Sequence, residues 1–184
     1  MTAIAGLIHD GRVYLAGDSA ATSGWDLSLK PDGKVFTTGP YALGFAGSLR
    51  AAQLVQYATE LPTPEGDLTR FLTTTFVNAL RTCLKEGGHS RSDCERESTE
   101  LNLLVGVHGR LFKVFGDYTV GEGSQPFAAV GCGEDFALGA LHATAHLGWK
   151  PKQRLKAALS AAEWFSAGVR GPYTYTATPK TAAS

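Results

Sequence analysis

Two short runs dominated by apolar residues, Ala3 to Ile8 and Arg12 to Gly17, flank His9-Asp10-Gly11 at the start of the chain. Runs of this length, rich in apolar residues and broken by Asp-Gly, predict a first β-hairpin. A polar stretch from Ser19 to Gly33, holding Trp25, leads to Lys34-Val35-Phe36, and past Gly39-Pro40 the apolar segment Tyr41 to Gly47 completes a second hairpin. The period then changes. Ser48 is placed to cap a helix running to about Glu60, ahead of Pro62 and Pro64. Asp67 is placed to cap the next, in which Leu68, Phe71, Leu72, Leu80, Cys83 and Leu84 recur at helical spacing until Gly87-Gly88. Both helices are expected to cover one face of a sheet.

From Glu86 to Glu100 the chain is charged and nearly devoid of apolar residues, which predicts a mobile surface loop. Leu101 to His108 and Arg110 to Phe115, joined at Gly109, predict another hairpin, and Phe127 to Val130 a further strand. Gly131-Cys132-Gly133 opens an Ala- and Leu-rich helix to about Leu147, and Pro151 sits where a first helical turn tolerates proline, ahead of Leu155, Ala158, Leu159, Ala162 and Phe165. Helices thus follow both blocks of strands. Two antiparallel sheets packed face to face, with a helix pair outside each, bury all four amphipathic faces, so the expected class is α+β, a four-layer αββα sandwich. Residues 1–176 read as one domain and 177–184 as a frayed tail.

Composition narrows the function. A chain of 184 residues with 43% apolar and 18% charged residues suits one globular domain, and 17 basic against 17 acidic residues remove any global attraction to nucleic acid or an anionic membrane. Neither a secretory signal nor a membrane-spanning apolar run is present, so a soluble, cytoplasmic protein is expected. Cys83, Cys94 and Cys132 are odd in number and irregularly spaced, which fits reduced thiols better than a disulfide framework or a zinc ribbon. Phosphate-binding Gly loops and serine elbows are missing. His142 and His146 lie one helical turn apart, but no Glu follows His142 and no third ligand is evident, so they read as a polar helix face. No metal and no cofactor is expected.

The opening hairpin carries the chemistry. With His9-Asp10-Gly11 as a three-residue loop, Ile8 pairs with Arg12, Gly6 with Tyr14, Ile4 with Ala16 and Thr2 with Asp18, so Thr2 and Asp18 share a sheet face. A two-residue loop would shift the register by one and part them. Removal of Met1 would leave a free α-amine beside the Thr2 hydroxyl, with a reference pKa of about 7.7 to 8.0. Its neutral fraction can take the proton from Oγ, so that one residue supplies nucleophile and base. On this reading no leader precedes the first strand. Lys34 supplies positive charge near the nucleophile, Asp18 pairs with it, and a glycine N–H of Leu43-Gly44-Phe45-Ala46-Gly47 faces the oxyanion.

Thr2, the Gly17-Asp18-Ser19-Ala20-Ala21-Thr22 segment, the lysine of Gly33-Lys34-Val35-Phe36, the Gly44-Phe45-Ala46-Gly47 strand and the segment Ala129 to Leu141 together resemble a proteasome β-type N-terminal nucleophile hydrolase. They are most similar to its simple bacterial branch, the heat-shock-locus V peptidase and related proteasome homologues. The resemblance spans Thr2 to about Tyr173. It implies Thr2 as nucleophile, its amine as general base, Asp18 and Lys34 as the charged pair, and Gly44 as oxyanion donor. It further implies that substrate pairs as an extended strand beside Thr22 and Gly44 to Gly47, with Ala21, Leu43 and Ala46 lining the pocket and Asp32 at its rim. Two departures stand out. Cys132 replaces the serine usual in the family, a weaker donor and acceptor. The later Asp and Ser that assist the terminal threonine in the proteasome core align with Phe165 and Gly168, so that support is missing. The bacterial peptidase's cation-binding carbonyls fall near Glu163, Ser166 and Val169, where no metal is assigned.

By resemblance the chain assembles with copies of itself in a single or double ring, receives peptide or unfolded protein, and is fed by an ATP-dependent unfoldase. Partnership with nucleic acid or membrane is not expected. Two other readings keep the fold: a structural ring subunit without activity, and an N-terminal nucleophile amidase for a small non-peptide amide.

Overall fold

The computed structural model describes residues 1–23, 26–29, 33–93 and 96–180. Trp25, Asp32 and Cys94 lie outside the described residues, as does the side chain of Thr22. Strand β1 (Ala3–His9) turns into β2 (Arg12–Gly17), and a hairpin of β3 (Ala20–Ser23) and β4 (Asp26–Leu29) follows where only a polar stretch was expected. β5 (Val35–Thr38) and β6 (Tyr41–Gly47) form the predicted second hairpin. Next come α1 (Leu49–Tyr57), α2 (Leu68–Phe71), a π-helical turn (Leu72–Phe76) and α3 (Val77–Glu86). Both predicted caps are present: the Ser48 side chain accepts from Ala51 N–H and that of Asp67 from Arg70 N–H. In the π-helical stretch, Thr73 and Thr74 turn their hydroxyls back onto the carbonyls of Thr69 and Arg70, a competition that loosens the regular ladder.

The charged segment 86–100 contains a short hairpin, β7 (Arg91–Asp93) with β8 (Arg96–Ser98), in place of a plain loop. Glu97 ties it to α3 by ion pairs with Arg81 and Lys85, contacts that composition does not reveal. β9 (Leu101–Val107) and β10 (Arg110–Val114) are the expected third hairpin, followed by β11 (Val120–Glu122), which was not expected, and β12 (Phe127–Gly131). Then α4 (Glu134–Ala143) ends four residues before the predicted Leu147, α5 (Pro151–Phe165) starts on its proline, and β13 (Thr174–Ala177) closes the chain. Thr178 is buried, its N–H bonding Val13 O and its hydroxyl accepting from Val13 N.

The strands form a four-stranded antiparallel sheet, in the order β12-β1-β2-β13, and a five-stranded one, β11-β10-β9-β6-β5. Alternation along each strand divides the apolar side chains among three cores. Ala3, Ala5 and Leu7 of β1 pack with Leu141, Leu155 and Leu159 of α4 and α5. Tyr41, Leu43 and Phe45 of β6 pack with Val55, Leu72, Phe76 and Leu80 on the other side. Ile4, Val13 and Leu15 meet Val35, Ala42, Leu104 and Leu111 between the sheets. Each fully buried large side chain contributes about 1.5–3 kcal/mol.

The first hairpin departs from its predicted register. Asp10 and Gly11 both adopt positive φ, 47° and 68°, the signature of a two-residue turn, and His9 pairs with Arg12, Ile8 with Val13 and Ile4 with Gly17. The pairing of Thr2 with Asp18 is therefore not made. One residue fewer in the loop slides β2 by a single position, and Asp18 falls opposite Ala3 instead.

Candidate active site

Thr2, Asp18 and Lys34 nevertheless converge, because Lys34 bridges the gap. Thr2 precedes β1, two residues from Ile4 and on the same inter-sheet face; Asp18 follows the last residue of β2; Lys34 immediately precedes β5. Lys34 Nζ lies 2.9 Å from Thr2 Oγ1 and 2.9 Å from Asp18 Oδ1. All three side chains are buried, at 5%, 0% and 2% exposure for Thr2, Asp18 and Lys34. Burial pulls the Lys34 ammonium below its ordinary pKa, while the charge and the hydrogen bond of Asp18 oppose that pull.

Every partner of the Asp18 carboxylate is a donor. Oδ1 accepts from Lys34 Nζ and from Ala3 N–H at 2.9 Å, and Oδ2 from Ala20 N–H at 2.9 Å and Arg170 N–H at 3.4 Å. Desolvating an anion this completely is tolerable only with such a set.

The turn into α4 wraps Thr2 from the other side. Gly131 has φ +102°, and a Cβ there would stand 2.2 Å from Thr2 O, so only glycine permits the approach. Thr2 N–H donates to Cys132 Sγ at 3.3 Å, and Thr2 O accepts from Gly133 N–H and from Cys132 Sγ, both at 3.4 Å. Ser166, absent from the sequence-derived site, places its hydroxyl 3.4 Å from Cys132 Sγ. Ser166 stands one residue beyond Phe165 and two before Gly168, and its hydroxyl meets the Cys132 thiol. Only its packing reveals this, since a lone Ser after a helix carries no spacing signal.

Met1 completes the arrangement. Its carbonyl oxygen accepts from Thr2 Oγ1 at 2.6 Å and from Lys34 Nζ at 3.3 Å. While the Met1–Thr2 bond stands, Thr2 N is an amide and not a base. The Thr2 hydroxyl is thus engaged by both Met1 O and Lys34 Nζ.

The other predicted residues separate. Gly44 is a buried mid-strand residue of β6, with Ile4 Cγ2 2.5 Å from where its Cβ would stand, which makes it a packing position between the sheets. Leu43 does not line a pocket beside Thr2. It shares a face with Tyr41 and Phe45 and is buried in the core under α1 and α3. Ala46 is near the site, 3.3 Å from the position of a Cβ on Gly131, and Gly47 ends β6, exposed and at φ +120°. Ala21 is half-buried on β3, whose first residue Ala20 bonds Asp18. Among the described residues no group of three or more His, Cys, Asp or Glu is placed to hold a metal, and no helix is long and apolar enough to cross a membrane.

No protein-family model matches the chain, and no curated protein does. Solved structures do. BPH of Thiobacillus denitrificans in complex with epoxomicin superposes with a TM-score of 0.83 at 22% identity, covering 98% of this chain and 100% of its own. HslV of Trypanosoma brucei gives 0.68 at 20% identity over 96% and 98%, and Anbu, an ancestral β-subunit from Yersinia bercovieri, 0.69 at 15% over 97% and 82%. The chain therefore has the fold of the proteasome-type N-terminal nucleophile hydrolases, as its sequence resemblance implies.

Proposed function

We propose that this chain is the threonine peptidase subunit of a self-compartmentalised, proteasome-like ring, active once Met1 is removed. The observation that carries the proposal is the buried lysine held 2.9 Å from both the Thr2 hydroxyl and the Asp18 carboxylate, at the residue that becomes the N-terminus. The three cores, one between the sheets and one under each helix group, support the αββα sandwich of that family.

In the mature chain the α-amine of Thr2 takes the Oγ proton, and Oγ bonds to the scissile carbonyl carbon. The amine then returns that proton to the leaving nitrogen as the C–N bond breaks, leaving an ester on Thr2. Water, deprotonated by the same amine, hydrolyses the ester. Lys34 holds Oγ by its hydrogen bond and stabilises negative charge there, and Asp18 fixes Lys34. The packing of Gly44 against Ile4 favours Gly47, next to Ala46 and at the open end of β6, as the oxyanion donor. Ala21, Thr22, Ala46 and Asp32 remain the proposed substrate-facing residues. Copies of this chain form the ring, and unfolded protein delivered by an ATP-dependent partner is the substrate, in the cytoplasm.

Peptide hydrolysis by purified, Met1-free protein, compared with Thr2→Ala, tests this. Thr2→Ala is expected to lose at least 1000-fold in kcat, in the range seen when a nucleophile is removed, and to keep the wild-type melting temperature. Undiminished cleavage by Thr2→Ala contradicts it.

A further inference from the structure

The family resemblance places cation-binding main-chain carbonyls at Glu163, Ser166 and Val169, in and just after the last turn of α5. In this chain those oxygens are engaged. Arg170 Nη1 donates to Glu163 O at 3.1 Å and to Val169 O at 3.0 Å, and Ser166 O accepts from Val169 N–H at 3.2 Å. A hard cation would have to approach these oxygens to about 2.0–2.6 Å. It would there lie against a guanidinium of like charge. The donor set does not fit a metal ion; it fits the arginine.

We propose that the Arg170 guanidinium is the resident cation of this turn and the positioning residue of the catalytic site. A helix end presents unsatisfied carbonyls and partial negative charge, which a fixed guanidinium matches with directed N–H bonds. Three contacts carry its effect to the site. The Arg170 main-chain N–H donates to Asp18 Oδ2 at 3.4 Å, its main-chain carbonyl accepts from Ser19 N–H at 2.9 Å, and the turn braced by the guanidinium presents Ser166 to Cys132. The Glu163 carboxylate closes the clasp by accepting from Gly171 N–H at 3.3 Å and from the Tyr173 hydroxyl. Arg170 touches neither Thr2 nor substrate. It acts by holding Asp18 and, through Asp18, Lys34.

The test compares wild type, Arg170→Ala and Arg170→Lys in a chelator-treated tetramethylammonium buffer, titrated separately with Mg2+, Ca2+, K+ and low-millimolar guanidinium. Melting temperature is one readout and kcat and KM for a peptide the other. Wild type is expected to be indifferent to every ion. Arg170→Ala should melt lower, lose roughly 10- to 100-fold in kcat with little change in KM, and recover in part when guanidinium fills the vacated place; Arg170→Lys should fall between. A saturable rise in wild-type melting temperature with a metal ion overturns the proposal, as does an Arg170→Ala variant equal to wild type. Should Arg170→Ala not fold, the wild-type titration and Arg170→Lys decide. The kcat readout rests on the peptidase reading and the melting readout does not, so the two can fail separately.

Discussion

Replacing Asp18 by Asn changes one atom of a buried carboxylate and tests how the charged core of the site is built. Each carboxylate oxygen faces two donors: Lys34 Nζ and Ala3 N–H on one side, Ala20 N–H and Arg170 N–H on the other. An Asn must turn its NH2 toward one of these pairs, so either rotamer sets donor against donor, and the Lys34 ammonium loses its counter-charge. Breaking a buried pair in this way costs about 3–5 kcal/mol. At about 2–4 °C per kcal/mol for a chain of this size, the melting temperature should fall by about 6–20 °C. Lys34→Met is the informative contrast. It leaves the carboxylate with three N–H donors, so its cost should stay near 1–3 kcal/mol. Thermal unfolding of both variants and wild type at one protein concentration gives the order directly. A Lys34→Met variant as unstable as Asp18→Asn, or an Asp18→Asn variant that melts with wild type, refutes the reasoning.

Burial lowers the Lys34 pKa, so between that lowered value and the unfolded value near 10.4 the unfolded chain binds more protons. Wild-type stability relative to Lys34→Met should therefore rise with pH across that window, and denaturant midpoints of the pair followed upward in pH toward the unfolded-state value measure it. Cys132→Ser should match or exceed the wild-type peptidase rate, because a hydroxyl serves the Thr2 and Ser166 contacts better than a thiol. Cys132→Ala should lose about 2- to 10-fold in kcat, the worth of one neutral hydrogen bond. Gly44→Ala should cost about 1–3 kcal/mol in urea unfolding by forcing a methyl against Ile4, while the folded fraction still reacts at Thr2.

Local signals were legible and long-range ones were not. Ser48, Asp67 and Pro151 announce helix starts because a cap acts within three residues, and the three hairpins follow from their turn residues. The β1–β2 register failed on a single residue: Asp10-Gly11 closes the turn alone, and His9 joins the strand. Thr2, Asp18 and Lys34 nonetheless come together, since a long lysine side chain spans the offset that the register introduces. Gly44 and Leu43 were misplaced because alternation along β6 turns them into the two cores, leaving Ala46 and Gly47 at the site end. Ser166 lies 34 residues from Cys132 and Arg170 lies 152 from Asp18, and no pattern in the chain links either pair.

The central claim is that Thr2 becomes the terminal nucleophile. Intact mass spectrometry of the natively expressed protein, before and after incubation with a peptide epoxyketone and followed by mapping of the adduct, tests it most directly. That warhead joins both the hydroxyl and the free amine of a terminal threonine. The account predicts loss of Met1 and one adduct located on Thr2; Met1 retained with no adduct formed would contradict it.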